Sequence, residues 1–110
     1  ECIDYIYDHL HTRITVELLA KRVNLTPSYL SRLFKKETGD NIGHYIKMLK
    51  LDTARNMLIY SDYSPAQIAQ TLAFPSQSYF TEQFRLHTGL TPANYRNINL
   101  RQTPFHKKNT

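Results

Sequence analysis

Two stripes of polar side chains carry the chemistry this sequence offers. Ser28, Ser31, Arg32 and Lys35 recur at intervals of three and four residues, the spacing that gathers side chains on one face of a helix. Gln77, Ser78, Thr81, Glu82 and Arg85 repeat the arrangement. A helix fits the major groove of duplex DNA, and these residue types recognise base edges there. The Arg32 fork matches guanine O6 and N7, a contact worth about 1–3 kcal/mol of discrimination, Gln77 suits adenine, and Glu82 accepts from the cytosine amino group. The serines and Thr81 allow close approach but specify weakly. Each long side chain also has a plainer reading. Arg32 serves as a solvated cation or a helix-terminus ion pair, and Gln77 as a solvated residue at a helix start. Glu82 serves as a surface charge that repels phosphate and that Arg85 offsets three residues on.

Other chemistry finds no support. His9 and His11 lack metal-ligand spacing to any partner, Cys2 is the single cysteine, and no glycine-rich phosphate loop, nucleophile elbow or zinc pattern occurs. Glu1, Asp4 and Asp8 share a face of the first helix, where carboxylates favour the positive end of the helix dipole. The expectation is a protein that is not an enzyme and takes no cofactor or metal. No apolar run reaches the roughly 18 residues that span a bilayer, and no signal peptide is visible, so the cytosol is the expected compartment.

The stripes belong to a repeat. Ser28-Tyr29-Leu30-Ser31-Arg32-Leu33-Phe34-Lys35-Lys36-Glu37-Thr38-Gly39 returns fifty positions later as Ser78-Tyr79-Phe80-Thr81-Glu82-Gln83-Phe84-Arg85-Leu86-His87-Thr88-Gly89. Internal repetition marks a structural unit used more than once. Charge is not repeated with it. The chain of 110 residues has a net charge of +5. Residues 1–12 carry Glu1, Asp4 and Asp8 without a Lys or Arg, whereas 13–60 hold nine basic and four acidic groups. Residues 61–90 contribute only Asp62, Glu82 and Arg85, and 91–110 add Arg96, Arg101, Lys107 and Lys108. Basic character sits on the first repeat and the tail.

The elements that must position the stripes read as helices throughout. Thr26-Pro27, Ser64-Pro65 and Thr91-Pro92 each pair a capping hydroxyl with a proline at the first helical position. Asn41 is a further cap, and Gly39 and Gly89 stand where a left-handed residue closes a helix. The pattern predicts an all-α fold of about seven helices, over 1–11, 16–23, 27–38, 42–60, 65–72, 77–88 and 92–98. Two short turns, 24–26 and 73–76, make two helix-turn-helix units. Leu19, Ala20, Val23, Leu30, Leu33 and Phe34 form a small core for the first; Ile68, Ala69, Leu72, Phe74, Phe80 and Phe84 do so for the second. The central helix reads as a stiff rod of about 27 Å at 1.5 Å per residue. Ile42, Tyr45, Ile46 and Leu49 face the first unit, and Leu51, Ala54, Met57 and Leu58 the second. The expected organisation is 1–40, first unit; 41–60, linker helix; 61–98, second unit; 99–110, a basic, poorly ordered tail. A rod of that length suits the ~34 Å between successive major-groove faces, provided both stripes look the same way.

At this level of detail the chain resembles the DNA-binding domain of the AraC/XylS family of bacterial transcription regulators, over residues 1 to about 97. The resemblance rests on Lys50-Leu51-Asp52-Thr53-Ala54-Arg55-Asn56-Met57-Leu58, then Ser64-Pro65-Ala66-Gln67-Ile68-Ala69, then Ser78-Tyr79-Phe80 to Phe84, then Thr88-Gly89-Leu90-Thr91-Pro92 and Tyr95-Arg96. It implies two helix-turn-helix units bridged by a long helix, with recognition helices entering adjacent major-groove segments. Three positions depart from the family pattern. Ala73 stands where glycine is usual in the second turn, which puts a left-handed turn there in question. Ser76 replaces an acidic residue or Asn, and Glu82 stands where many relatives carry a basic residue.

Phosphate contacts position a protein without reading sequence. Arg22, Tyr29, Lys36, Tyr79 and Arg96 are candidates by position and by resemblance, and the capped helix starts at Thr26 and Ser76 offer N–H groups. The two tyrosines read equally well as half-buried core aromatics. The leading expectation is sequence-specific binding of double-stranded DNA by the C-terminal domain of a regulator, an activator, with a sensing or receiver domain N-terminal to Glu1 and RNA polymerase as a partner. The alternative is a helical protein-interaction module with the same fold and no specific DNA binding.

Overall fold

The computed structural model describes residues 2–102, and these contain seven α-helices and no strand. They are α1 (Cys2–Asp8), α2 (Val16–Arg22), α3 (Pro27–Thr38), α4 (Ile42–Tyr60), α5 (Pro65–Thr71), α6 (Gln77–Thr88) and α7 (Pro92–Gln102). The chain divides between Lys50 and Leu51, inside α4, into two compact units.

Local chemistry sets the helix ends. The hydroxyls of Thr15, Thr26, Ser64 and Ser76 accept from the backbone N–H three residues on, which satisfies a donor that a helix start leaves orphaned. Ser64 and Gln67 complete a reciprocal capping box. The Asn41 side chain accepts from His44 N–H at 2.8 Å and Thr91 from Asn94 N–H at 3.2 Å. Gly39 and Gly89 close α3 and α6 in the left-handed conformation, at φ 81° and 85°.

Three ends differ from expectation. Helix α1 stops at Asp8 because the His9 ring nitrogen Nδ1 takes the Tyr5 carbonyl at 2.9 Å, and His9 N–H turns to Ile6 O instead. Helix α7 runs on to Gln102, so 99–102 are helical and not tail; the rest of the expected tail, 103–110, lies outside the described residues. The second turn is left-handed after all: Ala73 has φ 57°, matching φ 62° at Asn24 in the first. In both, an N–H just past the helix reaches back to a small residue, Leu25 to Ala20 O and Phe74 to Ala69 O, each at 2.9 Å. That is the closing bond of a Schellman turn, strong enough to hold an alanine where glycine is preferred.

Each unit has its own core. In the first, Ile6, Leu19, Ala20, Leu30, Phe34, Ile42 and Ile46 are buried together, and Phe34 meets Tyr45 edge-on at 5.2 Å between ring centroids. In the second, Leu51, Ala54, Leu58, Ile68, Ala69, Leu72, Phe80 and Phe84 are buried, and Phe84 meets Tyr95 edge-on, again at 5.2 Å. Burying each large apolar side chain contributes roughly 1.5–3 kcal/mol. These contacts fix the inner faces of α3 and α6 and so decide which faces remain outside.

Candidate nucleic-acid interface

Helix α3 buries Leu30 and Phe34 and leaves Ser28, Tyr29, Ser31, Arg32, Lys35 and Lys36 exposed. Its outer face therefore combines two hydroxyls, three cations and an aromatic ring. The Arg32 guanidinium lies 5.9 Å from the centre of the Tyr29 ring, within cation–π range. Tyr29 is 47% exposed, which places it at the surface and not in the core.

The start of α3 is economical in donors. Pro27 has no N–H, and the Tyr29 N–H is taken by the Thr26 hydroxyl oxygen at 3.2 Å. The first-turn amide left to face a ligand is that of Ser28. At α6 the first position is Gln77, so Gln77 and Ser78 both offer amides, while the Tyr79 N–H goes to the Ser76 hydroxyl at 3.0 Å.

Helix α6 buries Phe80 and Phe84 and exposes Gln77, Ser78, Tyr79, Glu82 and Arg85, with Thr81 half-buried. Tyr79 is 40% exposed and tilts toward Phe74. The outer face is electrostatically unlike that of α3. Arg85 Nη2 donates to both Glu82 carboxylate oxygens at 3.0 Å. The two charges cancel on the helix surface.

Two phosphate candidates have partners inside the protein. The Arg22 guanidinium stacks 4.4 Å from the centre of the Tyr5 ring, whose other neighbour is the His9 ring at 3.8 Å. Arg22 remains exposed and oriented by that stack. Arg96 is held by backbone carbonyls of its own unit. Its Nε donates to Leu58 O at 2.8 Å, and its Nη2 donates to Ser61 O at 3.2 Å and to Tyr63 O. Helix ends leave their last carbonyls without intrahelical partners, and this guanidinium gathers those at the end of α4 and the turn after it. These bonds tie the half-buried side chain to the end of α4.

Residue spacing also gave no sign of three other contacts. Lys50 is buried, donates to Thr12 O at 2.8 Å, and is pushed down to about 8 by burial, which disfavours its charge. Arg55 Nε donates to the Tyr95 hydroxyl at 3.1 Å, and His87 lies 3.3 Å from the Asp52 carboxylate, fixing the ends of α6 and α7 on α4. These partners are 35 to 40 residues apart in sequence, beyond the reach of any periodicity. No group of three or more His, Cys, Asp or Glu side chains that could hold a metal occurs among the described residues. Among the described residues no helix is long and apolar enough to cross a membrane.

The comparisons with known proteins agree with this geometry. A family model described as a helix-turn-helix domain matches residues 19–98. The chain belongs to the AraC/XylS-type helix-turn-helix family. It is similar to the uncharacterized HTH-type transcriptional regulator YobQ of Bacillus subtilis, 38% identical over 95 residues, covering 86% of this chain and 39% of that protein. It is 38% identical to the regulatory protein PocR of Salmonella typhimurium, covering 87% of this chain and 32% of PocR. The chain thus spans about a third of the length of these relatives. The multiple antibiotic resistance protein MarA of Escherichia coli is 31% identical, with 89% of this chain and 77% of MarA covered. Among solved structures, the DNA-binding domain of AdpA, a global transcriptional factor in complex with a target DNA, superposes with a TM-score of 0.89 at 28% identity, covering 94% of this chain and 93% of that one. The C-terminal domain of AraT, a response regulator from Geobacillus stearothermophilus, gives 0.84 at 28% identity, over 88% and 81% of the two chains.

Proposed function

We propose that this chain binds a specific duplex DNA sequence as the DNA-binding part of a bacterial transcription regulator, with α3 and α6 each entering a major-groove segment. The observation that carries the reading is the outer face of α3, where Ser28, Ser31, Arg32 and Lys35 stand exposed on a helix whose other side is locked into a core. Arg32 reads guanine, with Lys35 beside it. Lys36, Tyr29, Arg22 and the capped helix starts at Thr26 and Ser76 hold the backbone. Gln77, Ser78, Thr81, Glu82, Arg85 and Tyr79 make the corresponding surface on α6. The fold shared with a DNA-bound relative supports this assignment.

The same comparisons support a larger protein. YobQ and PocR are about three times longer than the match, and two structural neighbours are C-terminal domains of response regulators. We infer a sensing or receiver domain N-terminal to Glu1, activation through contact with RNA polymerase, and residence in the cytoplasm.

The test is selection from a random duplex pool followed by titration at several salt concentrations. Each phosphate neutralised steepens the salt dependence by about 0.9 in slope. Arg32→Ala is expected to lose the preferred site while keeping its helical spectrum. A flat salt response with no enriched sequence would instead support a protein partner.

A further inference from the structure

We propose that Glu82 is the base-reading acceptor of the second unit, selecting a cytosine amino group, and that Arg85 is its positioning residue. The inference rests on the DNA-binding reading above and deepens it.

Glu82 lies on the outer face of α6, one helical turn beyond Ser78, away from buried Phe80 and Phe84. An isolated carboxylate there would approach two lines of phosphates, and like charges in a partly desolvated groove repel. The structure removes that obstacle. A single nitrogen, Arg85 Nη2, bridges both carboxylate oxygens at 3.0 Å each. The net charge of the pair is zero, yet each oxygen keeps further lone pairs. Both side chains remain about half exposed, so those acceptors are available to a ligand. A guanidinium clamping two oxygens at once also limits carboxylate rotation, and preorganised groups lose less entropy on binding.

A carboxylate that accepts and cannot donate discriminates among major-groove edges. The cytosine N4 amino group is its standard donor partner. Adenine N6 is also a donor, but N7 beside it is an acceptor that repels the second oxygen. Guanine offers only acceptors at that edge. The neighbouring Ser78 and Thr81 are short, so the backbone of α6 can approach closely enough for Glu82 to reach.

The alternative role for the pair is a helix-surface staple, worth only a few tenths of a kcal/mol at this spacing. The two roles predict different epistasis. A staple makes Glu82→Ala, Arg85→Ala and the double variant all slightly less stable, with base preferences unchanged. A neutralised reader gives opposite signs. Glu82→Ala frees Arg85 for phosphate but loses the cytosine contact, so binding to duplexes without that cytosine tightens, the salt slope steepens by about 0.9, and the margin for the cytosine site disappears. Arg85→Ala leaves a bare carboxylate, so binding weakens about three- to tenfold, by loss of roughly one charge contact. On duplexes without that cytosine the double variant returns to within about threefold of the wild type.

The experiment is selection from a random duplex pool with the whole chain, in wild type, Glu82→Ala, Glu82→Gln, Arg85→Ala and the double variant. Circular dichroism confirms that each is folded. We expect one position of the enriched site to be cytosine, preferred at least about fivefold. That preference disappears in Glu82→Ala and the double variant, and moves toward adenine in Glu82→Gln, since an amide pairs bidentately with adenine. A wild type that enriches a site whose base preferences survive Glu82→Ala overturns this inference and leaves DNA binding intact. A wild type that enriches nothing overturns the DNA-binding reading itself.

Discussion

Replacing Arg96 by alanine separates a structural arginine from a phosphate-binding one. In the folded protein its guanidinium donates to Leu58 O, Ser61 O and Tyr63 O. Hydrogen bonds from charged donors are each worth about 1.5–3 kcal/mol when the acceptor is otherwise unsatisfied. The three do not count equally. Leu58 is fully buried, whereas Ser61 is half-buried and Tyr63 exposed, so water can replace much of what is lost at the last two. Taking the Leu58 bond in full and discounting the others gives a destabilisation of about 3 kcal/mol. For a protein this small, with a urea m-value of about 1–2 kcal/mol per molar, the midpoint falls by about 2 M. Arg96→Lys, which keeps the charge but lacks the fork, recovers part of the loss. Urea unfolding followed by circular dichroism measures the midpoint. Native-state hydrogen exchange locates the effect: amides of α7 and the end of α4 lose protection, and those of α2 and α3 do not. Affinity for the selected duplex, measured in the cold where both proteins are folded, stays within about twofold. Unchanged stability with roughly tenfold weaker DNA binding would refute the structural account and return Arg96 to the phosphate contacts.

Further expectations follow from the same contacts. Ala73→Gly removes a Cβ from a residue at φ 57° and should raise stability by about 1 kcal/mol in thermal or urea unfolding; a loss would mean that the turn carries no strain. Ser64→Ala breaks the capping box at α5 and should lower stability by about 1 kcal/mol, with DNA affinity unaltered in the cold. Lys50, depressed to about 8 in the folded chain from an ordinary 10.5, binds fewer protons there than in the unfolded chain. Between pH 8 and 10.5 stability therefore rises with pH, by on the order of 2–3 kcal/mol. Lys50→Met removes that component, so the difference between variant and wild type should shift in favour of the wild type as pH goes from 7 to 10. A pH-independent difference would contradict the burial argument. Neutralising Lys35 and Lys36 together should weaken DNA binding more than neutralising Arg85, because the first face is cationic and the second cancels its own charge; a competition gel giving the reverse order would place the dominant contact in the second unit.

Short-range features of the sequence were sufficient for the helices and their faces. The bounds of α3, α4 and α6 are legible in Thr26-Pro27, Gly39, Asn41 and Gly89 because caps and left-handed closures act within four residues. The 3.6-residue period separates Leu30 and Phe34 from Ser31 and Arg32 for the same reason. The repeat at fifty positions pairs Phe34 with Phe84, and each is buried in the core of its own unit, against Tyr45 and Tyr95. Tertiary packing decided what periodicity cannot weigh. Arg32 and Arg96 are both arginines on helices, yet only the second meets three carbonyls from a segment more than 30 residues away. Lys50 stands within a helix whose pattern permits either exposure or burial, and the carbonyl of Thr12 determined which. Ala73 adopts a glycine's conformation because the bond from Phe74 to Ala69 O and the burial of Ile68 and Leu72 outweigh about 1 kcal/mol of backbone strain. Local preference fixes where a helix begins and which side is apolar; the partner of a long cationic side chain depends on the surface that the rest of the chain brings within its reach.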